Sequence, residues 1–203
     1  MRKQVFDAEE LDATERYKLM SGLIVPRPIG WVGSRGANGV NNLAPFSFFN
    51  MVSGTPPTLL FTTGMTVRVK DSLANVRASG VFTVNVVTEE VAAAMNVSSD
   101  SFPPDVDEFA AAGLTAIEGE AVAAPLVAEA KANFECVVTH IHEVGEGPSA
   151  SVVFGEVRRF HVAESLLDGT RIDLAGLKAV GRLAGSWYSR TTDLFEMERP
   201  SND

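Results

Sequence analysis

Along several stretches of the chain, apolar and polar residues alternate with a period of two, the spacing of strands that bury one face. The run Val81-Phe82-Thr83-Val84-Asn85-Val86-Val87 is the clearest, with Phe82, Val84 and Val86 on one face and Thr83 and Asn85 on the other. Ile29 to Ser34, Val40 to Phe46, Thr58 to Thr63, Phe134 to Glu143 and Ser151 to Val162 read as strands too. Asn38-Gly39 predicts a tight hairpin after Ser34, because both residues tolerate positive φ. Pro26 and Pro28 favour an extended edge, and Pro45 marks an edge or an end. Gly145-Glu146-Gly147-Pro148 predicts the turn between the last two long strands. Helices are expected over 7 to 22, where Asp12 caps and Gly22 stops, and from Lys70-Asp71-Ser72 to about Ser79, where Gly80 stops. Shorter helices are expected from Thr88-Glu89-Glu90 through Met95, and over Glu108 to Ala112 before Gly113. Pro125 interrupts the alanine-rich run from Ala121 to Ala132 and leaves its state open, and the tail from Gly169 is mixed.

Strands outnumber helices, and short turns or single short helices join most of them. That predicts a mainly β protein, an antiparallel barrel with flanking helices, over a parallel doubly wound sheet. The glycines Gly30, Gly33, Gly36 and Gly39 sit in a hairpin at the wrong spacing for a Rossmann dinucleotide loop. No repeat or linker divides the 203 residues, so one domain over 1–203 is expected. Hydrophobic residues at 45% and charged residues at 21% are ordinary for a globular chain. Seventeen basic against 26 acidic residues give a net charge of −9, which argues against a nucleic-acid partner. No apolar run reaches membrane-spanning or signal-peptide length, so a cytoplasmic location and no membrane are expected.

A few residues could carry chemistry. Lys70, Asp71 and Ser72 at a helix start, with Arg68 nearby, suit a phosphate, although an ordinary capped helix would look the same. Arg27, between two prolines, could grip a phosphate or a planar carbonyl, and Trp31 could stack on a ring or simply fill the core. The segment Asn41 to Ser47 carries amides and a hydroxyl able to read a heteroaromatic edge, or forms a strand-to-loop transition. His140 and His142 share one strand face, but no third ligand lies nearby, so no metal is expected. Cys136, the single cysteine, lies in an apolar strand and reads as a buried, inert thiol. No nucleophile elbow is present.

Arg27-Pro28-Ile29-Gly30-Trp31-Val32, Asn42-Leu43-Ala44-Pro45-Phe46-Ser47-Phe48-Phe49, Pro56-Pro57 and Lys70-Asp71-Ser72-x-x-Asn75 follow one another in order. After them come Val81 to Val87, Asp107-Glu108-Phe109 with Gly113-Leu114, and Arg182-Leu183-Ala184-Gly185-Ser186-Trp187-Tyr188. Together these resemble the flavin reductase family with the FMN-binding split-barrel fold, in particular its flavoredoxin-like branch and the reductase partners of two-component monooxygenases. The resemblance spans about residues 15 to 190. It implies a six-stranded antiparallel Greek-key barrel that dimerises with the flavin near the subunit interface. It makes Lys70, Asp71, Ser72 and Asn75 phosphate-side candidates, with Ser72 where threonine is usual. Arg27, Pro28, Trp31, Val32 and Ser34 would line the cofactor cleft. Asn42, Leu43, Ala44, Pro45 and Ser47 would touch the ring and ribityl chain, with Thr62 and Thr63 close by.

The function so implied is an FMN-dependent oxidoreductase. NAD(P)H would reduce the bound flavin, and the electrons would pass to free flavin or to a partner monooxygenase. Such chemistry belongs to the cofactor and needs no catalytic side chain. The rival readings are a flavoredoxin-like electron carrier without direct NAD(P)H use, a flavin or haem binding protein without turnover, and a pyridoxamine-phosphate-oxidase-like enzyme.

Overall fold

In the computed structural model, residues 1–64, 69–145 and 150–200 are described. Arg68 and the Glu146–Pro148 part of the expected turn lie outside them. The first helix, α1 (Ala13–Leu23), starts with a reciprocal cap: Asp12 accepts from the Glu15 amide at 2.8 Å, and Glu15 accepts from the Asp12 amide at 3.0 Å. It runs through Gly22, the expected stop, and buries only Ser21. Among the described residues no helix is long and apolar enough to cross a membrane.

The main sheet is antiparallel and has seven strands, one more than expected. They are β1 (Gly30–Arg35), β2 (Asn41–Phe46), β3 (Phe49–Gly54), β4 (Pro57–Gly64), β5 (Val81–Val86) and, after the short pair β6 (Ala116–Glu118) and β7 (Pro125–Val127), the long β8 (Ala132–Val144) and β9 (Ala150–Val162). The extra strand is β3. It lies at a sheet edge with Met51 69% exposed, so it shows no alternation between a buried and a wet face. The expected ambiguity around Pro125 resolves into β7, whose three residues are all buried.

The strand order is β2-β1-β5-β8-β9-β4-β3, so β2 and β3 occupy opposite ends of it. In a flat sheet those ends would lie roughly 29 Å apart at ~4.8 Å per strand. Only Ser47 and Phe48 separate β2 from β3 in sequence, and two extended residues span roughly 7 Å. The sheet must therefore curl until its ends meet. The Thr62 amide donates to the Phe48 carbonyl at 2.8 Å, one rung beyond the Phe49–Phe61 pair, so the β3–β4 ladder runs back into this link.

The predicted alternation sorts side chains into two cores. Val32, Phe46, Phe61, Phe82, Val84 and Cys136 belong to one, capped by Leu73 and Val76 of α2 (Asp71–Ser79). Trp31, Leu43, Val87 and Val127 belong to the other, with Met95 of α3 (Ala92–Val97) and Phe109 of α4 (Glu108–Ala111). The helix expected from Thr88 begins as a 3-10 turn, Glu89–Val91, and Thr88 makes no side-chain cap bond there. Gly80 ends α2 in the left-handed region, φ 71°, where a side chain would be strained. Glu135 on β8 is wholly buried; burial alone would push its carboxyl up, but His161 and the amides of Ala121 and Val122 bring it below the usual range. The tail forms β10 (Leu167–Asp168), β11 (Arg171–Ile172), α5 (Leu174–Leu177) and the hairpin β12 (Val180–Arg182) with β13 (Tyr188–Arg190).

Two glycines test this packing in opposite directions. A Cβ at Gly155 would sit 2.3 Å from the Phe82 ring, so Gly155→Ala is expected to cost about 1–3 kcal/mol by overpacking. Gly22 lies inside α1 with open space around it, so Gly22→Ala is expected to gain about 0.5–1 kcal/mol. Urea unfolding midpoints of the two variants against the parent check both signs.

Candidate functional site

The sequence of β2 builds the floor of a cleft. Asn42 is buried, and its amide is bonded at both ends. Its Oδ1 accepts from Ser34 Oγ at 3.0 Å and from Ser72 Oγ at 2.8 Å, and its Nδ2 donates to Glu108 Oε1 at 2.8 Å. Asn75 Nδ2 donates to Ser34 Oγ at 3.2 Å. Glu108 also accepts from the Leu43 amide at 3.1 Å, and Asn41 donates to Asp107 at 3.1 Å, so α4 is pinned along β2. Ser34, Asn42, Ser72 and Asn75 come from β1, β2 and α2, yet form one polar network. Glu108 completes it, although the sequence reading quoted this residue only as part of a motif. Burial raises the Glu108 carboxyl above its usual range, although Asn42 and Leu43 oppose the shift, and the nearby Asp71 carboxylate adds to it.

A cavity of about 610 Å³ opens above this network. Asn42, Ala44, Pro45 and Phe46 form one wall, Lys70, Asp71 and Ser72 another, and the loop from Ser98 to Pro103 faces them. Lys70 is the N-cap of α2 and makes no side-chain cap bond. The first turn of α2 lies at the cavity wall, where the helix dipole favours an anion. A second cavity, of about 570 Å³, shares Pro45 and Ser99 with the first and continues the cleft toward α1 and the β12–β13 hairpin.

The remaining expected residues fall in several places. Arg27 and Ser47 line the second cavity. Arg27 is buried, and its guanidinium is occupied: Nη1 donates to the carbonyls of Ser21 (2.6 Å) and Ile24 (2.8 Å), and Nη2 to that of Leu183 (3.0 Å). It ties α1 and the tail to the start of β1. Trp31 lines neither cavity; it is wholly buried and donates from Nε1 to Ser98 Oγ at 2.9 Å, which anchors the facing loop. Val32 and Leu43 are core residues, and Pro28 lines a separate apolar groove. Thr63 is buried against the Ser151 carbonyl, and neither it nor Thr62 lines the two cavities. The facing loop, Tyr17 and Asn96 also line the cleft. No local motif marks these loop and helix residues. Cys136 is buried, which pushes its thiol up and leaves it no nucleophilic role.

A seven-stranded antiparallel sheet curled into a barrel, with a polar cleft between β2 and the start of α2, defines the class of mainly β fold. Residues 20–175 match the family described as flavin reductase like domain, and the chain belongs to that family. The crystal structure of nitrilotriacetate monooxygenase component B from Bacillus cereus is 35% identical, with a TM-score of 0.95 over 97% of this chain and 100% of that one. The 2-nitrobenzoate 2-nitroreductase of Pseudomonas fluorescens is 29% identical, with a TM-score of 0.90 over 98% of each chain. An NADH-dependent FAD reductase of Streptomyces globisporus is 34% identical over 112 residues, 54% of this chain and 56% of its own.

The raised Glu108 carboxyl predicts a pH signature. The folded protein keeps this proton to a higher pH than the unfolded chain does. Its contribution is therefore present in acid and is lost as pH rises from the ordinary carboxylate range through the raised value. Urea unfolding from pH 4 to 8 is expected to show the parent losing stability relative to Glu108→Gln as pH rises. A difference independent of pH would contradict the shift.

Proposed function

We propose that the protein is an FMN-binding oxidoreductase that takes electrons from NAD(P)H and delivers them from its flavin to free flavin or to a partner monooxygenase. The observation that carries this reading is the cleft beside β2. It joins an uncapped helix start and a lysine to a small apolar wall and a buried polar floor. These features fit a flavin nucleotide. Lys70 and the first turn of α2 would hold the phosphate. Ala44 and Pro45 offer a flat face for the ring, and Asn42 with Ser72 fixes the floor beneath it. The Ser98–Pro103 loop would cover the site and exclude water.

Of the two helix starts at this cavity, α4 is capped by Asp107 and only α2 lacks a side-chain cap; with a single lysine among the described lining residues this suits one phosphate, which favours FMN over FAD. Ser72 Oγ donates to Asn42, so Ser72 would serve the phosphate through its backbone amide rather than its hydroxyl. A bound flavin would itself supply the two-electron chemistry. The relatives named as an NADH-dependent reductase and as a monooxygenase component support the nicotinamide reductant and the monooxygenase partner.

The same reading includes a homodimer. The strand β3 edges an apolar groove of about 680 Å³ lined by Pro28, Phe49, Met51, Leu59, Phe134 and Phe160. Phe160 is 55% exposed and Phe48, beside the groove strand, 44%, an apolar surface of the kind that marks an interface.

The purified protein is expected to be yellow with stoichiometric FMN, and NADH or NADPH without oxygen is expected to bleach its visible flavin band. Colourless protein that also takes up no added FMN would refute the reading. Lys70→Ala is expected to weaken FMN binding about tenfold or more, since one charge-assisted bond contributes roughly 1.5–3 kcal/mol. Riboflavin, which lacks the phosphate, should bind parent and variant alike in a fluorescence titration.

Sedimentation at low micromolar concentration is expected to show a dimer, and Phe48→Glu a monomer. A flavin-loaded monomer of the parent chain would count against the shared interface.

A further inference from the structure

The segment between α3 and α4 forms one wall of the cavity on β2 and α2. Every residue from Ser98 to Pro103 lines that cavity. From Ser99 to Pro104 the same run is exposed, apart from the half-buried Phe102. A run that lines a cavity on one side and meets solvent on the other is a cover one chain thick. What holds such a cover decides how a ligand enters and leaves.

Both ends of this run are tied to the β1–β2 hairpin, and the two ties are unequal. At the first end, Trp31 Nε1 donates to Ser98 Oγ at 2.9 Å, and the same hydroxyl donates to the Met95 carbonyl at 2.9 Å. Trp31 and Ser98 are both buried, so breaking their bond strands a polar group away from water. At the other end, Asn38 Nδ2 donates to the Pro104 carbonyl at 3.5 Å, a long bond from an exposed side chain. Asn38 is oriented for it by the turn itself, since its Oδ1 accepts from the Val40 amide at 3.1 Å. Between the ties the bonds are local. The Ser99 and Asp100 amides donate back to the Asn96 and Val97 carbonyls of α3, each at 3.2 Å, and the Ser101 amide donates to Asp100 at 2.7 Å. Pro103-Pro104 stiffens the far arm. A buried short tie at one end and an exposed long tie at the other make a hinge and a latch, because local opening starts where least is lost.

We propose that residues 99–104 are a strap that retains the flavin, with Trp31 and Ser98 as its hinge and Asn38 as its latch. This rests on the reading that the flavin occupies the cavity on β2 and α2. The flavin is then a resident group that leaves only when the latch opens, and its acceptor must come to the protein. Trp31 and Asn38 do not line that cavity, so they are positioning residues that act through the strap.

Stopped-flow uptake and release of FMN and of riboflavin test the proposal, together with hydrogen exchange at the amides of residues 99 to 102. Asn38→Asp keeps the acceptor for Val40 and removes the donor for Pro104; Asn38→Ala shows whether the added charge matters. Both are expected to release FMN about two- to tenfold faster, the effect of one neutral hydrogen bond. Uptake should speed up by the same factor and leave Kd within about twofold, because the latch bond is the same with and without ligand. Riboflavin should follow FMN, unlike in Lys70→Ala. At the hinge, Trp31→Phe, Ser98→Ala and the double variant are expected to release FMN equally fast, since each breaks one shared bond. Unchanged release in the Asn38 and Ser98 variants would overturn the proposal. So would faster release without faster uptake in the Asn38 variants, or an effect confined to FMN, which would place Asn38 in the phosphate site. A parent protein that takes up no flavin would fail the flavin reading instead. Exchange in flavin-free protein would then still decide the strap: faster exchange at 99 to 102 in Asn38→Ala supports it, and equal exchange overturns it.

Discussion

The two residues Ser47 and Phe48 impose the constraint on which the rest of the molecule depends. They join strands at opposite ends of a seven-stranded order, and a connection that short leaves the sheet no choice but to close. Closure brings β2 against the elements that follow β4, so that Asn42 of β2 meets Ser72 of α2. It also places Pro45 and Ser47, on either side of Phe46, at the lining of the cleft. The barrel and the site are thus one event: the turn that shuts the sheet carries the wall of the cavity.

The cleft is built around polar groups that satisfy one another before any ligand arrives. Asn42 uses both ends of its amide, Ser34 both donates and accepts, and Glu108 takes an amide on each oxygen. A buried network of this kind keeps its shape because any rotation would strand a partner without water. Its cost is a carboxyl held where burial disfavours its charge. Arg27 plays the matching part at the other end, where its bonds to Ser21, Ile24 and Leu183 draw three distant segments together. Among the described residues, one end of the cleft is framed by acids and one lysine, the other by arginines.

Much of this was legible along the chain. Period-two alternation identified β1, β2, β4, β5, β8 and β9, and assigned Phe82 and Val84 to a face opposite Thr83 and Asn85, because a strand buried on one side must alternate. Asp12 and Gly80 marked a helix start and a helix end through local cap chemistry. The order of short motifs around Arg27, Asn42 and Lys70 pointed to the flavin reductase family to which the chain belongs. What did not show was β3, an edge strand with no consistently buried face to pattern it, and the start of the Thr88 segment as a 3-10 turn rather than a capped helix.

The sequence by itself determined the periodicities, the caps and the residue types available for binding, because each is set by neighbours a few positions away. Only the tertiary structure decided what those side chains do. Trp31, a residue able to stack on a ring, is spent on Ser98 and the core; Arg27, able to grip an anion, is spent on backbone carbonyls. Glu108 and Arg182, 66 positions from Asn42 of β2 and 155 from Arg27 ahead of β1, enter the cleft because the curl of the sheet and docking of the hairpin bring them there. A side chain's role depends on which donors and acceptors reach it first, and those partners lie far away in sequence.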